Sequence, residues 1–302
     1  MTTEKELNSN NSGISDKRQK SNVSKIIWIT GIILLLLLLV NALLLYINPG
    51  SHIDRIDRQE AQYNSISVAL ELFNSEFDTL PPSNGLDPTG KPYCGAMKFA
   101  EAMVGKDLKG FHPDSLFRSD GNDGSRKVLY PDANNLTTEL YQANIKIRKG
   151  PYLPIENANA YHLNDIFENT GPFDGNSYVL CDEYGRFTHL NTGRRIGMPI
   201  LYYKADISKN AHDINDPNNP DNIYNYKDNH AMLALGIPSK PNKKHPLFED
   251  PTIFYKMTKK YKSTKQNVSM RADSYILLSA GKDGLYGTKD DIVNFDMGWK
   301  PK

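Results

Sequence analysis

The chain has 302 residues, with 36 basic side chains against 35 acidic ones. A balance this even supplies no concentrated basic face and argues against nucleic acid as a partner. Abundant Asn, Asp, Gly, Pro and Tyr point to a loop-rich domain with many turns and away from a helical bundle.

Residues 1–25 are polar, with Lys5, Lys17, Arg18, Lys20 and Lys25 set among Asn and Ser. They read as a disordered tail. Residues 26–47 are almost wholly apolar, and Trp28 and Tyr46 stand near the two ends. As a helix this stretch would span roughly 33 Å, enough to cross a bilayer's hydrocarbon core. Aromatics at its ends suit the membrane interface. No small-residue cleavage site follows, so a retained anchor is expected in place of a signal peptide. Basic residues before the span outweigh the mixed Asp54, Arg55, Asp57 and Arg58 after it. The positive-inside rule then puts the tail in the cytoplasm and the rest on the other side of an inner (cytoplasmic) membrane.

Pro49-Gly50 interrupts the apolar run, and Ser51 is a reasonable cap for a second helix over residues 51–78. Ile66, Leu70, Phe73 and Phe77 recur at intervals of four, three and four, which marks one buried stripe. Pro81-Pro82 cannot continue a helix. Further on, residues 93–105 read as a short helix stopped by Gly105, and 136–149 and 161–167 as helical. Tyr178–Asp182 and Pro199–Ala205 read as strands. Asp213–Asn225 is an Asn/Asp/Pro loop. Cys94 and Cys181 leave two readings open: two buried thiols, or one disulfide contributing about 4–5 kcal/mol on the chain-entropy model.

Near the end, Tyr275-Ile-Leu-Leu278 is a strand candidate, followed by a glycine-rich loop that returns to Ile292 and Val293. Asp283, Asp290 and Asp291 converge on that loop. Carboxylates and freed carbonyls on one tight turn suit a hard cation such as Ca²⁺, and Asp-Gly equally suits a plain solvated hairpin. The alternating ligands and closing Glu of an EF-hand are missing. A second acidic turn, Asp120–Gly124, reads as solvated.

An apolar span running into an amphipathic helix that ends Leu72-Phe-Asn-Ser-Glu-Phe-Asp-Thr-Leu-Pro-Pro82, and then Ser279-Ala-Gly-Lys-Asp-Gly284 leading to Asp290-Asp-Ile-Val-Asn294, resembles the type IV pilin-like proteins. Within them the likeness is to the major pseudopilins of the type II secretion pathway. The resemblance implies an α+β fold: an N-terminal membrane helix, a stalk helix (51–78), a small antiparallel sheet, a loop-rich insertion over about 85–265, and a C-terminal strand with a calcium loop (274–295) in an exported domain (48–302). It implies Ca²⁺ held by the side chains of Asp283, Asp290 and Asp291 and the carbonyls of Ala280 and Leu285. It implies a structural, non-enzymatic role, with a bilayer contacted through 26–47 and other pilin-like subunits or secretion-system proteins as partners. Two departures stand out. Gly31 is followed by Ile32 to Leu36, so the family's cleavage-site glutamate is absent, and the exported part is unusually long. Processing by a prepilin peptidase is therefore not expected.

Catalytic motifs are missing: there is no His-Glu-x-x-His, nucleophile elbow, phosphate loop or dinucleotide fingerprint. The alternative to a scaffold is a membrane-tethered extracytoplasmic binding module for a carbohydrate or protein. Tyr202, Tyr203, Tyr224 and Tyr226 would form its platform, unless they simply pack the domain.

Overall fold

The computed structural model describes residues 28, 31–37, 50–189, 192–238, 240, 243–261 and 268–301. The expected tail (1–25) lies outside the described residues, as does most of the expected span (26–47). Residues 31–37 are helical, and no helix among the described residues is long and apolar enough to cross a membrane. Two compact units are present, Met1–Asp54 and Arg55–Lys302. The second is an α+β unit with small antiparallel sheets. Residues 85–265 fold within it, with no separate unit of their own.

The stalk helix runs over Gly50–Phe77. Its start at Gly50 takes in Ser51, which is therefore a helical residue and not the cap. Its end comes before the two prolines, because Asp78 turns into the left-handed region at φ 53°. Ile66, Leu70 and Phe73 are buried and Phe77, at the end of the expected stripe, is half-buried, while Tyr63 and Ala69 widen it. A second helix, Gly95–Val104, is buried at every residue. It ends at Gly105, whose φ of 80° reverses the chain. Complete burial obliges its polar groups to find partners inside the protein. Its two charged residues are satisfied internally. Lys98 Nζ donates to the Asn84 and Leu86 carbonyls at 2.7 and 2.8 Å. Glu101 accepts from the hydroxyls of Tyr93, Ser115 and Tyr130.

Strands β1 (Ala160–His162) and β2 (Tyr178–Leu180) pair antiparallel, as do β3 (Phe187–Thr188) and β4 (Arg195–Ile196). The segment 161–167 is thus part strand, and only Leu163–Ile166 forms a helical turn. The central sheet has the order β5 (Leu201–Lys204), β6 (Tyr275–Ser279), β7 (Ile292–Val293), all antiparallel.

Alternation along this sheet divides the core in two. Tyr202, Tyr275 and Leu277 face a cluster built from Ile66, Leu70 and Phe73 of the stalk helix and Phe99 and Met103 of the buried helix. Leu201, Tyr203, Ile276 and Leu278 face a second cluster with Leu247, Phe254 and Tyr286. Both faces are therefore dry, which is why β6 reads as a continuous apolar run. Hydroxyls pin the helix to the sheet: Tyr63 donates to the Ile292 carbonyl at 2.9 Å and Tyr275 to Ser67 Oγ at 3.0 Å. Cys94 and Cys181 are free buried thiols. Burial pushes Cys94 up to about 11.

Candidate metal centre

The β6–β7 connection holds all five expected ligand residues. Gly281 opens it at φ 57°, and a Cβ there would fall 2.0 Å from the Asp290 carbonyl oxygen. Only glycine accommodates both constraints. Asp290 Oδ2 accepts the Asp283 N–H at 2.8 Å, and Asp283 Oδ1 accepts the Leu285 N–H at 2.7 Å. Asp291 Oδ2 accepts the Gly287 N–H at 2.7 Å.

Thr288 knits these groups together, and sequence reading did not single it out. Its hydroxyl lies 2.7 Å from Asp290 Oδ1, 3.2 Å from the Leu285 carbonyl and 3.4 Å from Asp291 Oδ1. The spacing Thr-Lys-Asp-Asp, with a hydroxyl two and three residues before carboxylates, was the available signal. Ala280 is fully buried at the end of β6.

The loop's tip is set into the core. Tyr286 is buried, with its hydroxyl donating to the Pro199 carbonyl. Its N–H donates to His245 Nδ1 at 3.2 Å, while His245 Nε2 reaches the Gly236 carbonyl at 3.1 Å. That pair of bonds selects the neutral Nε2–H tautomer, and burial lowers His245 to about 4.

Electrostatics around the loop are unbalanced. Burial, with Asp290 and Asp283 adding to it, holds Asp291 well above the usual carboxylate range. Burial and the Asp290 charge also raise Asp283. Asp290 goes the other way: burial raises it, but the Thr288 hydroxyl and the Asp283 N–H outweigh that and hold it low. A buried carboxylate beside two others needs either a proton or a cation. Arg186 supplies part of the answer, with one terminal nitrogen donating to the Gly281 carbonyl at 2.9 Å. Beneath the loop, buried Asp182 accepts from Ser279 Oγ at 2.8 Å and from the Tyr184 and Met198 N–H groups. Neither Arg186 nor Asp182 had a local sequence signal, because both arrive from a different hairpin.

The donor set is all hard oxygen, the chemistry Ca²⁺ takes. As folded, the three carboxylates turn toward loop N–H groups. Among the described residues no group of three or more His, Cys, Asp or Glu side chains is arranged to hold a metal ion. The buried, cation-poor Asp291 is the observation that fits a metal here.

The aromatic platform does not form from the residues expected of it. Tyr202, Tyr203 and Tyr224 are fully buried and pack the core, and only Tyr226 is half-buried, with its hydroxyl donating to Asn218 Oδ1. A groove of about 590 Å³ does lie beside them, lined by Asn84, Lys204, Asp206, Asn222 and Asn225. No family model, curated protein or solved structure matches the chain.

Proposed function

We propose that the protein is a membrane-anchored, pseudopilin-like scaffold component of a secretion or cell-surface assembly, with a C-terminal loop stabilised by Ca²⁺. The observation that carries this reading is one arrangement: a long helix laid along one face of a three-stranded antiparallel sheet, with an aspartate loop joining its last two strands. Asp283, Asp290 and Asp291 would hold the ion, aided by the Leu285 and Ala280 carbonyls. When bound, Ca²⁺ supplies the positive charge that the buried carboxylates lack. The chain's own residues do the rest. Thr288 holds Asp290 and Asp291 together, Tyr286 and His245 fix the loop's tip, and the sheet then presents a rigid edge next to the stalk. Anchoring through 26–47 and contact with other pilin-like subunits or secretion-system proteins belong to the same proposal.

The test is thermal unfolding of the Arg55–Lys302 unit with excess Ca²⁺ and with chelator. At a hundredfold excess over its dissociation constant the ion should add about 2.7 kcal/mol. For a domain of this size that corresponds to roughly 5–10 °C in Tm. Asp290→Ala with Asp291→Ala should abolish the increment. An unchanged Tm in the unsubstituted protein, with no bound calcium, would return the loop to a plain turn. The polar groove supports a second reading, a tethered module for a carbohydrate, because clustered Asn, Asp and Lys groups suit sugar hydroxyls. Saturable glycan binding lost on Asn225→Ala would favour it.

A further inference from the structure

Asn84-Gly85 is the chain's one Asn-Gly dipeptide. It lies between the prolines that follow the stalk helix and the buried helix Gly95–Val104. Packing holds Gly85 in place: its carbonyl accepts the Tyr93 N–H at 3.0 Å, and a Cβ on it would fall 2.9 Å from the Lys227 carbonyl oxygen. Without a side chain, nothing on Gly85 shields its own N–H from the residue before it. Among the described residues no acceptor takes that N–H. Asn84 is exposed and lines the polar groove. Its side chain bends forward past Gly85, so that Nδ2 donates to the Leu86 carbonyl at 2.6 Å.

The Lys98 ammonium is the unusual neighbour. Lys98 is 1% exposed, and its Nζ donates to Asn84 Oδ1 at 2.9 Å, to the Asn84 backbone carbonyl at 2.7 Å and to the Leu86 carbonyl at 2.8 Å. Three acceptors match the three protons of an ammonium. The bond to Oδ1 draws electrons from Cγ, and it would hold the charge that develops on that oxygen when a nucleophile adds. The bond to the backbone carbonyl polarises the Asn84–Gly85 peptide, which makes the Gly85 N–H more acidic. One buried cation thus activates both the electrophile and the nucleophile of a single cyclisation.

We propose that Asn84 is a self-modifying site, at which the Lys98 ammonium promotes closure of the Gly85 nitrogen onto Asn84 Cγ and exchange of the side-chain amide for a carboxylate. Hydroxide takes the Gly85 N–H proton and the N–Cγ bond forms. Nδ2 then takes a proton from water, the Cγ–Nδ2 bond breaks and ammonia leaves. Water opens the resulting five-membered imide at either carbonyl, giving isoaspartate or aspartate. One water is consumed and one ammonia released, with no redox change. The new carboxylate faces Lys98 and adds a negative charge to the groove wall. The proposal is independent of the calcium loop and of the pilin-like reading.

The full chain in detergent tests it, incubated at neutral pH and followed by peptide mass mapping, with isoaspartyl methyltransferase to count isoaspartate. Asn84 should convert at least about tenfold faster in the folded chain than in the same chain unfolded in guanidinium, since only the folded state sets a cation on the developing oxyanion. Lys98→Met, with far-UV circular dichroism showing the fold retained, should lose that advantage. Should that variant not fold, the pH profile of the unsubstituted chain decides. Burial lowers Lys98 to about 8, against the opposing pull of Asp228, Cys94, Asp87 and Glu101. The rate should therefore rise in proportion to hydroxide below about pH 8 and level off above it, as the ammonium loses its charge. A folded chain no faster than the unfolded one, a folded Lys98→Met variant as fast as the wild type, or a rate that keeps rising with hydroxide well past Lys98's titration would each overturn the proposal.

Discussion

Asp182 provides a test of the loop's electrostatics that needs no metal. Its carboxylate is 2% exposed, and burial raises its pKa from 3.8 to about 6 despite three hydrogen bonds from Ser279, Tyr184 and Met198. The backbone presses on it as well: a Cβ on Gly197 would fall 2.1 Å from Oδ1. The sign follows from the direction of the shift. The folded state keeps the proton up to about pH 6, whereas the unfolded chain releases it near 3.8. Stability from this group is therefore greatest in acid and declines as pH rises through that window. Two pKa units correspond to about 3 kcal/mol. Asp182→Asn removes the titration while Oδ1 still accepts both N–H groups, and Ser279 can turn to accept from the new amide at a cost of about 1 kcal/mol. Urea unfolding of Arg55–Lys302 in chelator, at pH 4 and pH 7.5, measures the difference. The variant should gain about 2.4 kcal/mol on the wild type between the two, roughly 5–10 °C in Tm. Parallel stability curves would refute the reasoning, since other titrating groups, Asp228 and His245 among them, are common to both proteins.

Further outcomes follow from single contacts. Phe73 is buried, with ring centroids of Phe77, Phe111 and Tyr152 at 4.6, 5.2 and 5.6 Å. Phe73→Ala should lower the unfolding free energy by about 3–5 kcal/mol, and a loss under 1 kcal/mol by chemical denaturation would contradict the packing. Gly281→Ala meets both a left-handed φ and the Asp290 carbonyl, so it should destabilise the loop and reduce the calcium increment, read as a smaller Tm shift on adding Ca²⁺. His245 should titrate near 4 by NMR as the Nε2–H tautomer; its stabilising contribution is whole above pH 6.5 and is lost as pH falls toward 4, and an ordinary value near 6.5 would exclude the Tyr286 bond. Lys98→Met leaves the Asn84 and Leu86 carbonyls without their donor and should cost about 1–3 kcal/mol per orphaned acceptor.

Local pattern alone determined much of this molecule. The spacing of Ile66, Leu70 and Phe73 marked the buried stripe of the stalk helix, because helical periodicity survives any tertiary context. Tyr275–Leu278 read as a strand dry on both faces, and the glycines and aspartates after it as a tight acidic turn. These signals are short-range, and they concern which groups must leave water. Tertiary structure decided the rest. Whether three tyrosines formed a platform or a core depended on which elements covered them, and the sheet's two-sided packing buried them. Asp182 and Arg186 join the loop across more than ninety residues of chain, so no spacing could announce them. The same holds for the helix Thr138–Ile147. Residues 136–149 read as helical, but that the helix's apolar side faces water followed only once Arg148, Asn144 and Tyr141 were seen to hold the other side to the domain.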